Sequence, residues 1–289
     1  MIYPGCSTNQ TIQDSGSGLK ASHAWAWLST MVALWGAICI GVTPANGESA
    51  DAAEENPYPQ EEIEMRPGEH FTFQIRWGIM TVGEATLGIE GPVDWNGQKA
   101  YHIHHTARTR GMVDAFYRVR NQVDSYLDVS GTRSLHYTKE QREGRSERDV
   151  VVYFDWEKET ATYTDGDHRE DPIDIEPHTH DPISIVFAAR HLPFAEGETY
   201  TIPVSDGRRF FEAELTVTER KNLRTRLGTF DAILIQADTK ELGGVFERGR
   251  DTDIQFWVSN DERRLPLLML SSVSIGSFRA ELIQVELPE

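Results

Sequence analysis

The chain has 289 residues, 46 of them acidic and 28 basic, giving a net charge of -18 at a mean hydropathy of -0.47. So acidic a surface repels phosphate backbones and anionic headgroups, which disfavours nucleic acid and electrostatic membrane docking as functions of the molecule as a whole. Both cysteines, Cys6 and Cys39, lie in the first 47 residues, which leaves the rest without a disulfide framework, a thiol nucleophile or a Cys-based zinc site.

Residues Ala24 to Val42 form a run of 19 without a formal charge, followed by Pro44 and the small-residue stretch Ala45-Asn46-Gly47. The pattern predicts a signal peptide over 1–47, with an uncleaved N-terminal anchor as the alternative reading of a run this long. Either way the remainder is expected to be periplasmic or otherwise exported. Residues 48–67 are acidic and proline-bearing, and with so little apolar content they are expected to form a flexible tether.

From 68 onward the period is two. Phe71, Phe73, Ile75 and Trp77 alternate with Thr72, Gln74 and Arg76, and the same alternation returns at Phe211 to Thr218 and at Ile254 to Ser259. Successive strand side chains face opposite sides, so these runs predict sheets with one face buried and one wet. Asn96-Gly97, Asp165-Gly166, Asp206-Gly207 and Gly276-Ser277 are hairpin candidates, and short turns between alternating runs predict an antiparallel meander. One segment departs from this rhythm. Asp181 and Pro182 followed by Ile183, Val186, Phe187 and Ala189 predict a short helix over 181–192, with Asp181 as its cap.

The two β-rich stretches read as copies. Gly68-Glu69 returns as Gly197-Glu198 at an offset of 129; Phe116, Arg118 and Arg120 return as Phe246, Arg248 and Arg250 at 130; Tyr126 returns as Trp257 at 131 and Gly144 as Gly276 at 132. An offset that grows one residue at a time is the trace of duplication followed by loop insertions. The expected fold is all-β, two tandem antiparallel meander halves of half-barrel or sandwich type, 68–180 and 193–289, joined by the helix.

Chemistry is harder to find. His102 with His104, and His178 with His180, have the spacing of zinc ligands if the fold brings the pairs together. The competing readings are a wet strand face and, for Asp181 beside them, a helix cap. Gly-x-Ser-x-Gly, Walker, His-Glu-x-x-His and EF-hand patterns are missing, so no catalytic residue and no cofactor is expected. The recurring aromatics Tyr126, Trp257, Phe116 and Phe246 default to core, yet Phe256 and Trp257 must point opposite ways, which frees one ring to line a groove.

The exported leader, Gly68-Glu69-His70-Phe71, Asp181-Pro182-Ile183-Ser184 with Arg190, Gly228-Thr229-Phe230, Ile254 to Asp261, Arg264-Leu265-Pro266 and Gly276 form an ordered set. This set resembles the bacterial domain-of-unknown-function family 3108 (DUF3108), over about Gly68 to Leu287. The resemblance implies an exported, envelope-associated β protein and carries over no catalytic residue. The expected function is non-catalytic binding of a lipid or other amphiphile. A scaffold or assembly factor for a protein partner of the envelope is the alternative, and a metal-dependent envelope hydrolase the second alternative. No nucleic acid partner is expected, and membrane contact only through an uncleaved leader.

Overall fold

The computed structural model describes residues 63–237, 254–273 and 276–288. The predicted leader, most of the tether and Phe246 lie outside the described residues.

The first half opens with β1 (His70–Trp77), β2 (Met80–Trp95), β3 (Gln98–Thr109), β4 (Val119–Asp128), β5 (Ser134–Glu143) and β6 (Ser146–Asp155), with β7 (Thr160–Asp165) and the short β8 (His168–Arg169) and β9 (Ile173–Asp174) after them. The second half runs through β10 (Thr199–Ser205), β11 (Phe210–Thr225), β12 (Gly228–Ala237), β13 (Ile254–Ser259), β14 (Pro266–Val273) and β15 (Gly276–Glu286). Strand openings repeat with the expected drift: His70 and Thr199 are 129 apart, Met80 and Phe210 130, Ser134 and Pro266 132. β2 and β11 are even the same length, 16 residues. Gly276 is a correction. It begins β15 and pairs with Val273, as Ser277 pairs with Ser272, so Gly276-Ser277 belongs to the strand and not to the turn.

The halves share one sheet of 15 strands among the described residues, in the order β10 through β15 and then β1 through β8. The seam is β1 against β15, antiparallel from His70↔Glu286 to Trp77↔Phe278. The long strands bury one set of alternate side chains along much of their length, as in β1 with Phe71 at 0 % and Phe73 at 1 % exposure, and these inner faces make one continuous core.

The linker between halves runs through this interior. His180 donates its backbone N–H to Pro203 O at 2.9 Å and accepts from Ser205 N at 2.8 Å on β10, while Ser134 N on β5 donates to Thr179 O at 3.0 Å. The linker thus covers an edge that would otherwise present unpaired backbone groups. The turn after β10 reaches the far side of the sheet as well: Gly207, at a φ of +83°, sits so close to Val152 and Tyr163 that a Cβ would lie 2.7 Å from Val152. A sheet whose two ends approach in this way is curled towards a barrel.

The helix itself is Ser184–Ala189, shorter than the predicted 181–192. Asp181 nonetheless acts on its first turn, Oδ1 accepting from Ile183 N at 2.8 Å and Ser184 N at 3.0 Å. A second short helix, Gly111–Phe116 between β3 and β4, escaped the sequence reading because it is one isolated turn and a half with no buried face.

Arg190 ends the linker helix and pins the halves together. Its guanidinium donates to both Glu69 carboxylate oxygens at 2.6 and 3.0 Å, and also to the backbone carbonyls of Arg263 and Arg264 at 2.7 and 2.9 Å. The rings of Phe71 and Phe187 lie 5.2 and 5.5 Å from it. A buried ion pair this fully hydrogen-bonded offsets its desolvation, and it fixes one arrangement of β1, linker and β14 turn.

Candidate functional site: an apolar cavity and an imidazole ladder

Three places concentrate polar or unusual chemistry. The first lies at the linker. Asp181 Oδ2 accepts the hydroxyls of Ser125 (2.5 Å) and Ser134 (2.6 Å), and Ser134 Oγ lies 2.9 Å from Ser184 Oγ, which is 3.2 Å from His180 Nδ1. Serine, histidine and aspartate side by side invite comparison with a hydrolytic relay, but the wiring differs. In a relay the acid orients the histidine and the histidine activates the serine; here the acid takes the serines directly. All five side chains are buried, four of them at 0 % exposure together with Ser125, and burial holds His180 neutral by pushing its pKa down to about 3. This cluster fastens the linker to β4 and β5.

The second place is a cavity of about 140 Å³ in the second half. β11 supplies Phe211, Ala213 and Leu215 to its wall, β12 Ile235 and Ala237, β13 Ile254, Phe256 and Val258, and the linker Pro182, Ile185, Val186 and Ala189. Among the described residues Arg190 is the one charged side chain on the wall, and each of its three nitrogens already donates to Glu69 or to the two carbonyls. The size is about that of dry apolar cavities that take up a benzene molecule.

On the outer face of the first half, rings stack in a line. His70 and His104 are 5.7 Å apart, His104 and His102 5.9 Å, His102 and Tyr126 4.9 Å, Tyr126 and Trp95 5.7 Å, Trp95 and His136 5.4 Å. Gly88 of β2 stands between His70 and His104 in register, and a Cβ there would lie 2.4 Å from the His104 ring. The missing side chain is what lets the imidazoles meet across β2. His102 Nε2 lies 2.8 Å from Asp124 Oδ1, a contact that draws the Asp124 carboxyl below its ordinary value. Burial pushes His104 down, against the pull of Glu90 and reinforced by His102 and His70; burial lowers His136 as well.

These positions revise the expectations for individual residues. His102 and His104 share the outer face of β3, whereas His178 and His180 lie on the linker, the latter fully buried on Ser184; the two pairs do not converge. Among the described residues no group of three or more His, Cys, Asp or Glu is arranged to hold a metal ion. Tyr126 and Trp257, expected to face one ligand, are separated: Tyr126 belongs to the ring ladder, while Trp257 borders the cavity at 3 % exposure with Lys221 Nζ 4.2 Å from its ring. Phe116 is 70 % exposed on the Gly111–Phe116 turn, away from the cavity. Phe256, the other ring of the pair that alternation sets on opposite faces, also lines the cavity. Its alternation with Trp257 was visible, but which member faces inward depends on pairing with Ile235 and Met269.

Comparison with known proteins adds fold and family. No curated protein matches the chain. A β-barrel-like protein of domain of unknown function DUF1849 from Brucella abortus superposes with a TM-score of 0.52 at 13 % identity, covering 77 % of this chain and 98 % of its own. A hypothetical protein from Chlamydia trachomatis aligns over 76 % of this chain and 87 % of its own, at 10 % identity and a TM-score of 0.33. At such identity the first likeness shows the barrel-like fold alone. The model of DUF3108, a protein family of unknown function, matches residues 72–283, a span that takes in both meanders, the linker and the cavity, and the chain belongs to that family.

Proposed function

We propose that the protein is a non-catalytic carrier or sensor that takes the hydrocarbon part of a lipid or other amphiphile into the cavity of its second half. The observation that carries this reading is the wall: aliphatic and aromatic side chains throughout, with its single cation already neutralised by Glu69. Among the described residues such a wall offers a polar substrate few hydrogen bonds, and it rewards apolar occupancy at about 0.8 kcal/mol per methylene buried. A headgroup would stay outside while a short stretch of chain enters. The uncharged run Ala24 to Val42 supports action outside the cytoplasm.

The test is uptake of a fluorescent fatty acid such as cis-parinaric acid, with mass spectrometry of lipid extracted from the native protein. Ala237→Phe, which fills the cavity from β12, should weaken uptake at least about tenfold while leaving the thermal midpoint unchanged or higher. No uptake by the unaltered chain, together with no co-purifying lipid, would remove the reading.

A further inference from the structure

Two connections lie together at one end of the first half. The turn Gly78-Ile79 joins β1 to β2, and the short helix Gly111–Phe116 joins β3 to β4. In an antiparallel meander alternate connections share an end, and Arg110 N donates to Val82 O at 2.9 Å across the two. These connections carry Ile79 at 89 % exposure, Met112 at 79 %, Phe116 at 70 % and Met80 at 51 %, the four most exposed large hydrophobic side chains among the described residues. Water gives a turn no reason to hold such residues, and gathered at one end they mark a contact surface.

The charge around them is reversed from that of the molecule. Arg76, Arg108, Arg110, Arg118 and Arg120 stand at this end against Glu84 and Asp114, and the β5–β6 turn beside Arg118 adds Arg142, Arg145 and Arg148 against Glu140, Glu143, Glu147 and Asp149, so arginines outnumber carboxylates here in a chain whose net charge is -18. Glu84 serves both Arg108 and Arg110, at 2.8 and 2.5 Å, while Asp114 is engaged by Arg120 at 2.7 and 2.9 Å and Arg118 is exposed. Arg76 lies directly across the seam from Arg279, an opposition of like charges in which Glu281 Oε2 comes within 3.4 Å of Arg279 Nε and Arg76 donates to Ile79 O at 3.1 Å. Like charges held opposite one another on a sheet are unfavourable unless an anion joins them. Apolar side chains at the tips with guanidinium groups behind them match the layering of an anionic bilayer surface, hydrocarbon beyond phosphate.

We propose that this end of the barrel docks on an anionic phospholipid surface, Ile79, Met80, Met112 and Phe116 entering the interface while the arginines meet the phosphates. The cavity reaches the same end: Phe211 at the start of β11, Ala237 at the close of β12 and Ile254 at the start of β13 all stand on the side of the sheet to which β1 points. Docking stands on the surface alone. That it serves to pass a lipid between bilayer and cavity rests on the reading of the cavity given above. The high overall negative charge then has a use, because it repels every other face from the same membrane and so orients the molecule.

The experiment attaches an environment-sensitive nitrobenzoxadiazole dye to Ile79→Cys in the full chain, with Cys6→Ser and Cys39→Ser removing the native thiols. Phosphatidylethanolamine vesicles containing phosphatidylglycerol should shift the dye emission to the blue, and brominated acyl chains should quench it, while phosphatidylcholine vesicles do neither. Adding Arg110→Glu with Arg118→Glu should raise the lipid concentration at half-shift by at least about tenfold. The unmodified chain and the labelled variants should have about the same thermal midpoint, because Ile79, Arg110 and Arg118 are exposed and Arg110 gives up only a surface pair with Glu84. A dye that stays in water on anionic vesicles overturns the docking, even where the chain sediments with them through its N-terminal apolar run; so does insertion that the arginine reversals leave unchanged. Parinaric acid uptake measured on the same samples keeps the two readings apart. Insertion without uptake removes the cavity reading alone, and uptake without insertion removes the docking alone.

Discussion

Ser125 and Phe256 stand 131 residues apart at matching places on β4 and β13, and the two halves use that place in opposite ways. Ser125 gives its hydroxyl to Asp181 and so binds the linker, whereas Phe256 lines the cavity. The neighbouring strands repeat the contrast. His105 of β3 is buried with Nδ1 donating to Thr86 O at 2.7 Å, and its counterpart Ile235 of β12 is a wall of the cavity. Tyr126 belongs to an open ladder of rings, while the matching Trp257 is sealed to 3 % exposure at the border of the cavity with Lys221 over its ring. One pattern of strands thus yields a clasp in the first copy and a container in the second. The difference lies in the inner row: polar residues there fix a peptide in place, and apolar ones leave volume that none of the described residues fills.

The sharpest break of this arrangement is at the tie between clasp and container. Arg190→Met leaves the Glu69 carboxylate buried without its partner, and Glu69→Gln leaves the guanidinium so; either should lower the unfolding free energy by about 3 to 5 kcal/mol in urea denaturation. Combining Arg190→Met with Glu69→Leu should recover a large part of that loss, because no uncompensated charge remains. A loss below about 1 kcal/mol for both single changes would show that the halves are held by the β1–β15 seam alone.

A smaller effect tests whether the two interiors differ in free volume. Ala107 and Ala237 occupy the same place in their copies, 130 residues apart, but Ala107 is 1 % exposed in filled core and Ala237 lines the cavity. Ala107→Leu should cost about 1 to 3 kcal/mol through overpacking, and Ala237→Leu should be neutral within about 1 kcal/mol or stabilising. Equal costs would mean that the second interior is as full as the first.

Much of this was legible in the sequence, and the boundary follows the range of the forces involved. Alternation at Phe71 to Trp77, the turn dipeptides at Asn96-Gly97 and Asp206-Gly207, and the cap at Asp181 are all written within a few residues, and they specify strands, hairpins and helix start. The drift from 129 to 132 exposed the repeat. What spacing could not convey was where distant segments meet. Glu69 and Arg190, both within the motifs that carry the family resemblance, are 121 residues apart and join only once the linker threads the interior. The imidazole ladder needed the register that sets Gly88 between His70 and His104, and the cavity is a property of three strands and a linker together. His178 and His180 looked like partners for His102 and His104 by residue type alone, while the linker buries His180 on the opposite side of the sheet wall from β3's outer face.

The least disruptive probe of the comparison is pH. His105 and His180 are fully buried, and burial lowers their pKa values to about 4 and about 3, against about 6.5 for the unfolded chain. Above pH 6.5 both states are neutral and neither histidine contributes. Below it the unfolded chain takes up protons that the folded chain refuses, and His191, lowered to about 4 by burial and the nearby arginines, adds a third, so these three histidines lower stability as pH drops from about 6.5 to about 4, and His180 alone from there to about 3. Glu143 acts the other way near pH 4.5, since burial raises its pKa and the folded state then binds the extra proton; Asp114, drawn to about 2 chiefly by its hydrogen bond from Arg120, adds a loss only below about 3.8. His105→Ile places the residue of the second half into the first. Denaturant titrations of this variant and the parent chain should run parallel above pH 7 and diverge below, the variant's stability falling with a slope smaller by about one proton between pH 6 and pH 4.5. Parallel curves across that window would mean that His105 is protonated inside the fold, which a sealed inner row of β3 does not allow.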